Sequence, residues 1–130
     1  MAKTARQMRQ LYALCATAIV LGRADLDGAD NAGFDIALPI FTVGQVGEIA
    51  NIHPQTLRQY DRVGLVVPQR TSGGARRYSL RDIDRLVQAQ KLSQDEGINL
   101  TGITRILELQ EETRQLRRQI KRMHAEKRWQ

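Results

Sequence analysis

The apolar positions along this chain change period several times, and each change marks an element. Met8, Leu11, Tyr12, Cys15 and Ile19 fall on one side of a 3.6-residue period, which predicts an amphipathic helix near the start. Residues 23–38 carry four Asp and three Gly or Asn with little periodicity, so this stretch is expected to be a flexible linker. Helical spacing returns with Val43, Val46, Gly47, Ile49 and Ala50, behind a Thr42 cap reinforced by Gln45 three residues later. Asn51 and Ile52 make a turn, His53 stands at the next cap, and Pro54 opens a second helix where its missing N–H is not needed. That helix puts Leu57, Tyr60 and Asp61 on one side and Gln55, Arg58, Gln59 and Arg62 in the opposite quadrant.

Gly64 ends the second helix, and the short β-branched run 65–67 closes at Pro68. Turn residues 71–74 then lie between Arg70 and the pair Arg76 and Arg77, which predicts a basic hairpin with Gly73 and Gly74 at its tip. Ser79 with Asp82 caps a third helix carrying Ile83, Leu86, Val87 and Gln90 as far as Gly97, and Asn99 caps a fourth with Ile103, Ile106 and Leu107. From Ile106 the spacing becomes 3, 4, 3, 4, 3 through Leu109, Thr113, Leu116, Ile120 and Met123. This is a heptad seam, interrupted by the polar Thr113, and a short helix with so narrow a stripe is marginal alone. A second copy of the chain is the expected partner, although packing back on its own domain would also cover the seam.

The fold class predicted is mainly α: a winged helix-turn-helix of four helices and a small β-hairpin wing, then a C-terminal dimerisation helix. Domain limits follow as 1–39 for the N-terminal helix and linker, 40–109 for the winged helix-turn-helix, and 106–130 for the coiled-coil helix and basic tail.

This order of elements points to double-stranded DNA. Gln pairs with adenine and Arg with guanine or phosphate oxygens, the donor and acceptor code of the major groove. Two Gln and two Arg on a helix face also suit plain solvated surface, and it is the basic hairpin next door that favours DNA. Its three Arg around a glycine tip suit phosphates or a minor groove. The candidate DNA-contacting residues are His53, Gln55, Thr56, Arg58, Gln59, Tyr60, Arg62, Arg70, Gly73, Gly74, Arg76, Arg77 and Tyr78.

Composition adds limits. Aromatics are 5% of the 130 residues, so the core must rest on Leu, Ile and Val and is expected to be completed by a partner subunit. The net charge is +6, with four basic and four acidic residues in 1–40 against sixteen and ten in 41–130. The excess thus falls on the part with the winged-helix pattern, as a phosphate-binding surface requires. Cys15 is the single cysteine, and His53 and His124 lie far apart, so neither a disulfide framework nor a metal-sensing cluster is expected. No nucleophile–base pairing, Walker loop or dinucleotide fingerprint occurs, which predicts a non-enzyme without cofactor, and no small-molecule effector is expected.

Lys3, Arg6 and Arg9 before the apolar run 11–21 have the outline of a signal peptide, but no Ala-x-Ala site follows and the run is too short to span a bilayer. A helix packed on the protein body or a partner, a natural start further downstream, and a targeting segment are the three readings. A cytoplasmic, nucleoid-associated location is expected with the first two.

The run HPQTLRQYDRVGLVVPQRTSGGARRYSLRDI, residues 53–83, resembles the DNA-binding domain of the MerR superfamily. Within it, the Arg58-Gln59-Tyr60 triplet in place of Arg-Tyr-Tyr, His53 before the helix proline, the Gly-Gly wing and LSQDEGINLTGI further on resemble the HspR-type heat-shock repressors. The resemblance spans 41–109. It implies repression of a chaperone operon through an inverted repeat, an antiparallel homodimer, a second helix pair that packs on the first, and the Hsp70 chaperone DnaK as co-repressor. With no sensor pocket, thermal melting of a marginal dimer and titration of the chaperone by unfolded clients are the two routes to a heat response, and 11–21 or the Trp129 end is the expected chaperone contact. The other readings are a MerR-type regulator of a different stress regulon, an excisionase-like DNA-bending factor, and an adaptor that docks on a chaperone without DNA.

Overall fold

The computed structural model describes residues 2–128. Trp129, expected near the chaperone contact, lies outside the described residues. The chain divides into two compact units, Met1–Gln90 and Lys91–Gln130.

The first unit opens with α1 (Ala5–Val20), capped by a reciprocal pair in which Thr4 and Gln7 satisfy each other's backbone N–H. Tyr12, Ala16 and Ile19 form its buried stripe, and it packs on α3 (Val43–Ala50). The amphipathic helix expected here is therefore present, with its inner face set by Tyr12 and Ile19; Met8 is exposed and Cys15 half-buried.

Residues 23–38 are the first correction. In place of an irregular linker they form α2 (Leu26–Asn31), capped by Asp25, and bury Leu26, Ala29 and Ile36. The reason is long-range: the Tyr12 hydroxyl accepts the Asp35 N–H at 2.9 Å, Phe34 meets the Tyr12 ring edge-on at 5.0 Å, and the Ile36 carbonyl accepts the Arg81 N–H. None of these contacts is visible in local spacing.

The helix-turn-helix follows the expected chemistry. Thr42 and Gln45 close a capping box on α3. The turn is tight because the Gly47 carbonyl receives the N–H groups of both Asn51 and Ile52, with Asn51 left-handed at φ 52°. A Cβ on Gly47 would stand 3.2 Å from the Ile52 carbonyl oxygen, so this position has little room for a side chain. α4 (Pro54–Arg62) starts at the expected proline, and the His53 Nδ1 accepts the Gln55 N–H at 3.0 Å.

The wing is shorter than the sequence suggested. Residues 65–67 do not form its first strand, because the Leu65 and Val66 N–H groups turn back to the Tyr60 carbonyl at the end of α4. The Leu65 carbonyl in turn accepts Arg85 Nε at 2.6 Å, and both Leu65 and Val66 are buried. The hairpin is β1 (Gln69–Arg70) paired antiparallel with β2 (Arg76–Arg77), in register Gln69 with Arg77 and Arg70 with Arg76. Its tip is closed by Thr71, which receives the Gly74 N–H on its carbonyl and the Ala75 N–H on its hydroxyl, with Gly74 at φ 86° where side-chain-bearing residues are strained. A bridge between Phe41 and Tyr78, both buried, ties the hairpin base to the entry of α3.

α5 (Leu80–Gln94) begins at the Ser79–Asp82 capping box and buries Leu80, Ile83, Leu86 and Ala89. In the second unit the fourth helix and the dimerisation helix are one element, α6 (Leu100–Arg128), capped by Asn99 Oδ1 on the Gly102 N–H. Ile103 and Leu107 are buried and Ile106 is half-buried. Beyond them Leu109, Leu116, Ile120 and Met123 are all exposed, and Thr113 turns its hydroxyl onto the Leu109 carbonyl of its own helix.

Candidate nucleic-acid interface

Leu57 and Tyr60 fix α4 from below, at 2% and 6% exposure. Opposite them Gln55, Arg58, Gln59 and Arg62 are all exposed, with Thr56 half-buried at the edge and His53 exposed at the N-terminal end. Four long polar side chains thus stand on a short helix whose backbone cannot shift without unpacking two core residues. Tyr60 and Tyr78, expected among the DNA contacts, depart from this set: Tyr60 falls three residues after Leu57 on the inner face, and Tyr78 is 1% exposed in the Phe41 bridge. Burial raises the pKa of both phenols, and at Tyr78 Arg76 and Arg70 partly offset that rise while Asp61 and Asp82 add to it.

The wing is bonded to the end of α4 through a residue that sequence reasoning placed only as a neighbour of the core. Asp61 Oδ2 lies 3.4 Å from Arg76 Nε and 3.8 Å from Arg70 Nη2. The Arg76 contact is one of charge, since its buried Nε makes no hydrogen bond. Arg70 also donates from Nη1 to the Gly74 carbonyl across the hairpin, and Arg77 donates to the Arg76 carbonyl. Gly73 and Gly74 are exposed at the tip. The signal for Asp61 was available in the sequence: between Glu48 and Asp82 it is the single carboxylate, among Arg58, Arg62, Arg70, Arg76, Arg77 and Arg81.

Comparison with known proteins bears on this arrangement directly. The family model for MerR HTH family regulatory proteins matches residues 41–110, from the α3 entry into α6. The chain belongs to the MerR family.

Within 78 aligned residues it is 56% identical to the putative heat shock protein HspR of Streptomyces coelicolor, covering 60% of this chain and 52% of that protein. It is also 34% identical over 73 residues to the HTH-type transcriptional regulator GlnR of Bacillus anthracis, covering 56% of each. The HTH-type transcriptional regulator MlrA of Escherichia coli is 35% identical over 71 residues, 54% of this chain and 29% of that one. The chain spans about half the length of the HspR and GlnR relatives. The MerR resemblance drawn from 41–109 thus coincides with the matched region, and its HspR-type features with a relative of that name. Among the described residues, no helix is long and apolar enough to cross a membrane.

Proposed function

We propose that this MerR-family chain is a DNA-binding transcriptional regulator that acts as a repressor of heat-shock chaperone genes, binding an inverted-repeat operator as a homodimer. The observation that carries the reading is the exposed polar face of α4, anchored by Leu57 and Tyr60 and flanked by a wing of three Arg. In this reading Gln55, Arg58 and Gln59 meet base edges, Thr56 and His53 lie at the rim, and Arg62, Arg70 and Arg77 contact phosphates that approach the bare Gly73–Gly74 tip. Arg76 acts from its half-buried site as a tether for the wing.

The dimer reading is supported by the exposed row of Leu109, Leu116, Ile120 and Met123 on α6. Two such rows, with Ile106 and Thr113 completing the seam, would cover one another in a homodimer, and a homodimer carries two α4 helices for two half-sites. Repression of chaperone genes with DnaK as co-repressor rests on the similarity to HspR. Leu14 on α1 and Leu21 at its C-terminal cap, 68% and 61% exposed, offer the chaperone apolar contact within 11–21.

The test is operator binding by purified protein, followed across a temperature ramp with and without DnaK. DnaK-dependent occupancy that is lost on adding unfolded protein is the expected result. Full occupancy without DnaK up to global unfolding would remove the co-repressor, and affinity for random duplex without steep salt dependence would remove DNA binding itself.

A further inference from the structure

Asp61 belongs to α4 by sequence, yet both its ion pairs are to the wing. Those pairs are unequal. Arg76 is 29% exposed and its Nε is shielded, whereas Arg70 is 55% exposed and sits at 3.8 Å, near the outer limit of a salt bridge. An exposed pair at that distance is held loosely enough for a well-placed anion to displace it. Arg70 is held over the hairpin independently by its bond to the Gly74 carbonyl, so losing Asp61 would not release it to wander.

A phosphate offers the guanidinium a better partner, with shorter charge-assisted and bidentate bonds, but it must approach against the Asp61 charge. We propose that Asp61 is a specificity-determining residue: its carboxylate keeps Arg70 occupied in the free protein and on unselected DNA, and a phosphate replaces it only when α4 is seated on its own site. The inference rests on the DNA-binding reading above. On an unselected duplex α4 is not docked, phosphates reach Arg70 only in a geometry too poor to displace the Asp61 carboxylate, and the ion pair persists. On the selected site docking supplies that geometry. One phosphate contact per chain is therefore made on the right sequence and withheld on the wrong one, and specificity is this difference of affinities.

The roles separate through salt dependence, because each phosphate contact adds about 0.9 to the slope of log affinity against log salt. The probes are a duplex recovered by selection from a randomised pool and a scrambled duplex of the same composition. In the otherwise unaltered protein, Arg70→Gln should flatten the slope by about 0.9 per chain on the selected duplex and leave the scrambled one unchanged. In an Asp61→Asn background it should flatten both, and Asp61→Asn alone should steepen the slope on scrambled DNA.

Glu48→Gln controls for the loss of one negative charge, since Glu48 makes no ion pair among the described residues; it should not steepen the scrambled slope. Equal flattening on both duplexes by Arg70→Gln alone would overturn the proposal, as would an Asp61→Asn effect no larger than that of Glu48→Gln. If Asp61→Asn does not fold, the Arg70→Gln comparison decides by itself. Absence of salt-dependent binding to either duplex by the unaltered protein is a different result, and it defeats the functional reading instead.

Discussion

α4 and the second half of α6 are both polar helices rich in Arg and Gln, but they stand in opposite physical situations. α4 has nine residues and two core anchors, Leu57 and Tyr60, and every long polar side chain it exposes projects from a fixed backbone. The stretch of α6 after Leu107 has no buried residue among those described, and its apolar side chains are 43–65% exposed. The charge divides accordingly. Residues 41–90 hold seven basic and four acidic groups, 91–112 two and five, and 113–130 seven and one. The excess assigned to 41–130 as a whole is thus greatest on the C-terminal part of α6, with a smaller share on the winged helix. The same residue types thus occur in two different settings. Where the chain supplies its own core behind a polar helix, that helix is held in place; where it does not, the apolar side chains of the helix stay exposed.

The largest effect is expected at the seam. Replacing Leu116 and Ile120 together by Asp should convert a dimer into a monomer that keeps its helical content and loses affinity for an inverted repeat, because unpaired charge in a dry interface is strongly unfavourable. A double variant that still sediments as a dimer would move the interface elsewhere. Next in size, Leu57→Ala should cost about 2–5 kcal/mol in denaturant unfolding, the usual range for a buried Leu. Leu109→Ala, on an exposed position, should leave the unfolding of the first unit unchanged.

The smallest effect concerns Asp82, whose pKa is raised by burial against the lowering influence of its bonds to Ser79 and the nearby Arg81 and Arg85. The folded state then holds this proton more tightly than the unfolded chain does. Asp82 should therefore contribute a fall in stability as pH rises above about 3.8 through its raised folded value. Asp82→Asn, which can still accept the Ser79 N–H, should flatten that part of the stability profile; an unchanged profile would mean the carboxyl is better solvated than its surroundings suggest.

Much of this was legible because it is local. Capping boxes at Thr42 and Ser79, Pro54 at the start of α4 and Asn99 before α6 are all decided within four residues, and the structure repeats them. The misreadings involve partners far along the chain or backbone groups claimed by another element. Residues 23–38 look irregular until Tyr12 and Arg81 are brought beside them, and 65–67 look like a strand until the Tyr60 carbonyl takes the N–H groups of Leu65 and Val66. Asp61 was placed on the correct side of its helix, but its two arginines lie nine and fifteen residues away across a hairpin. The exposed side of α4 was readable from a 100° rotation alone, while Tyr60 and Tyr78, expected among the DNA contacts, lie in the core.

The central claim is that the exposed face of α4 reads bases while the wing supplies phosphate contact. Binding-site selection from a randomised duplex pool tests it most directly, using the unaltered chain, Gln59→Ala and Arg77→Ala. The account predicts an enriched inverted repeat for the unaltered chain. It predicts relaxed preference at one position per half-site for Gln59→Ala, costing roughly 1–3 kcal/mol there, and for Arg77→Ala the same sequence with uniformly weaker binding and a salt slope lower by about one. A selected sequence that is identical in the Gln59 variant and altered in the Arg77 variant would contradict it.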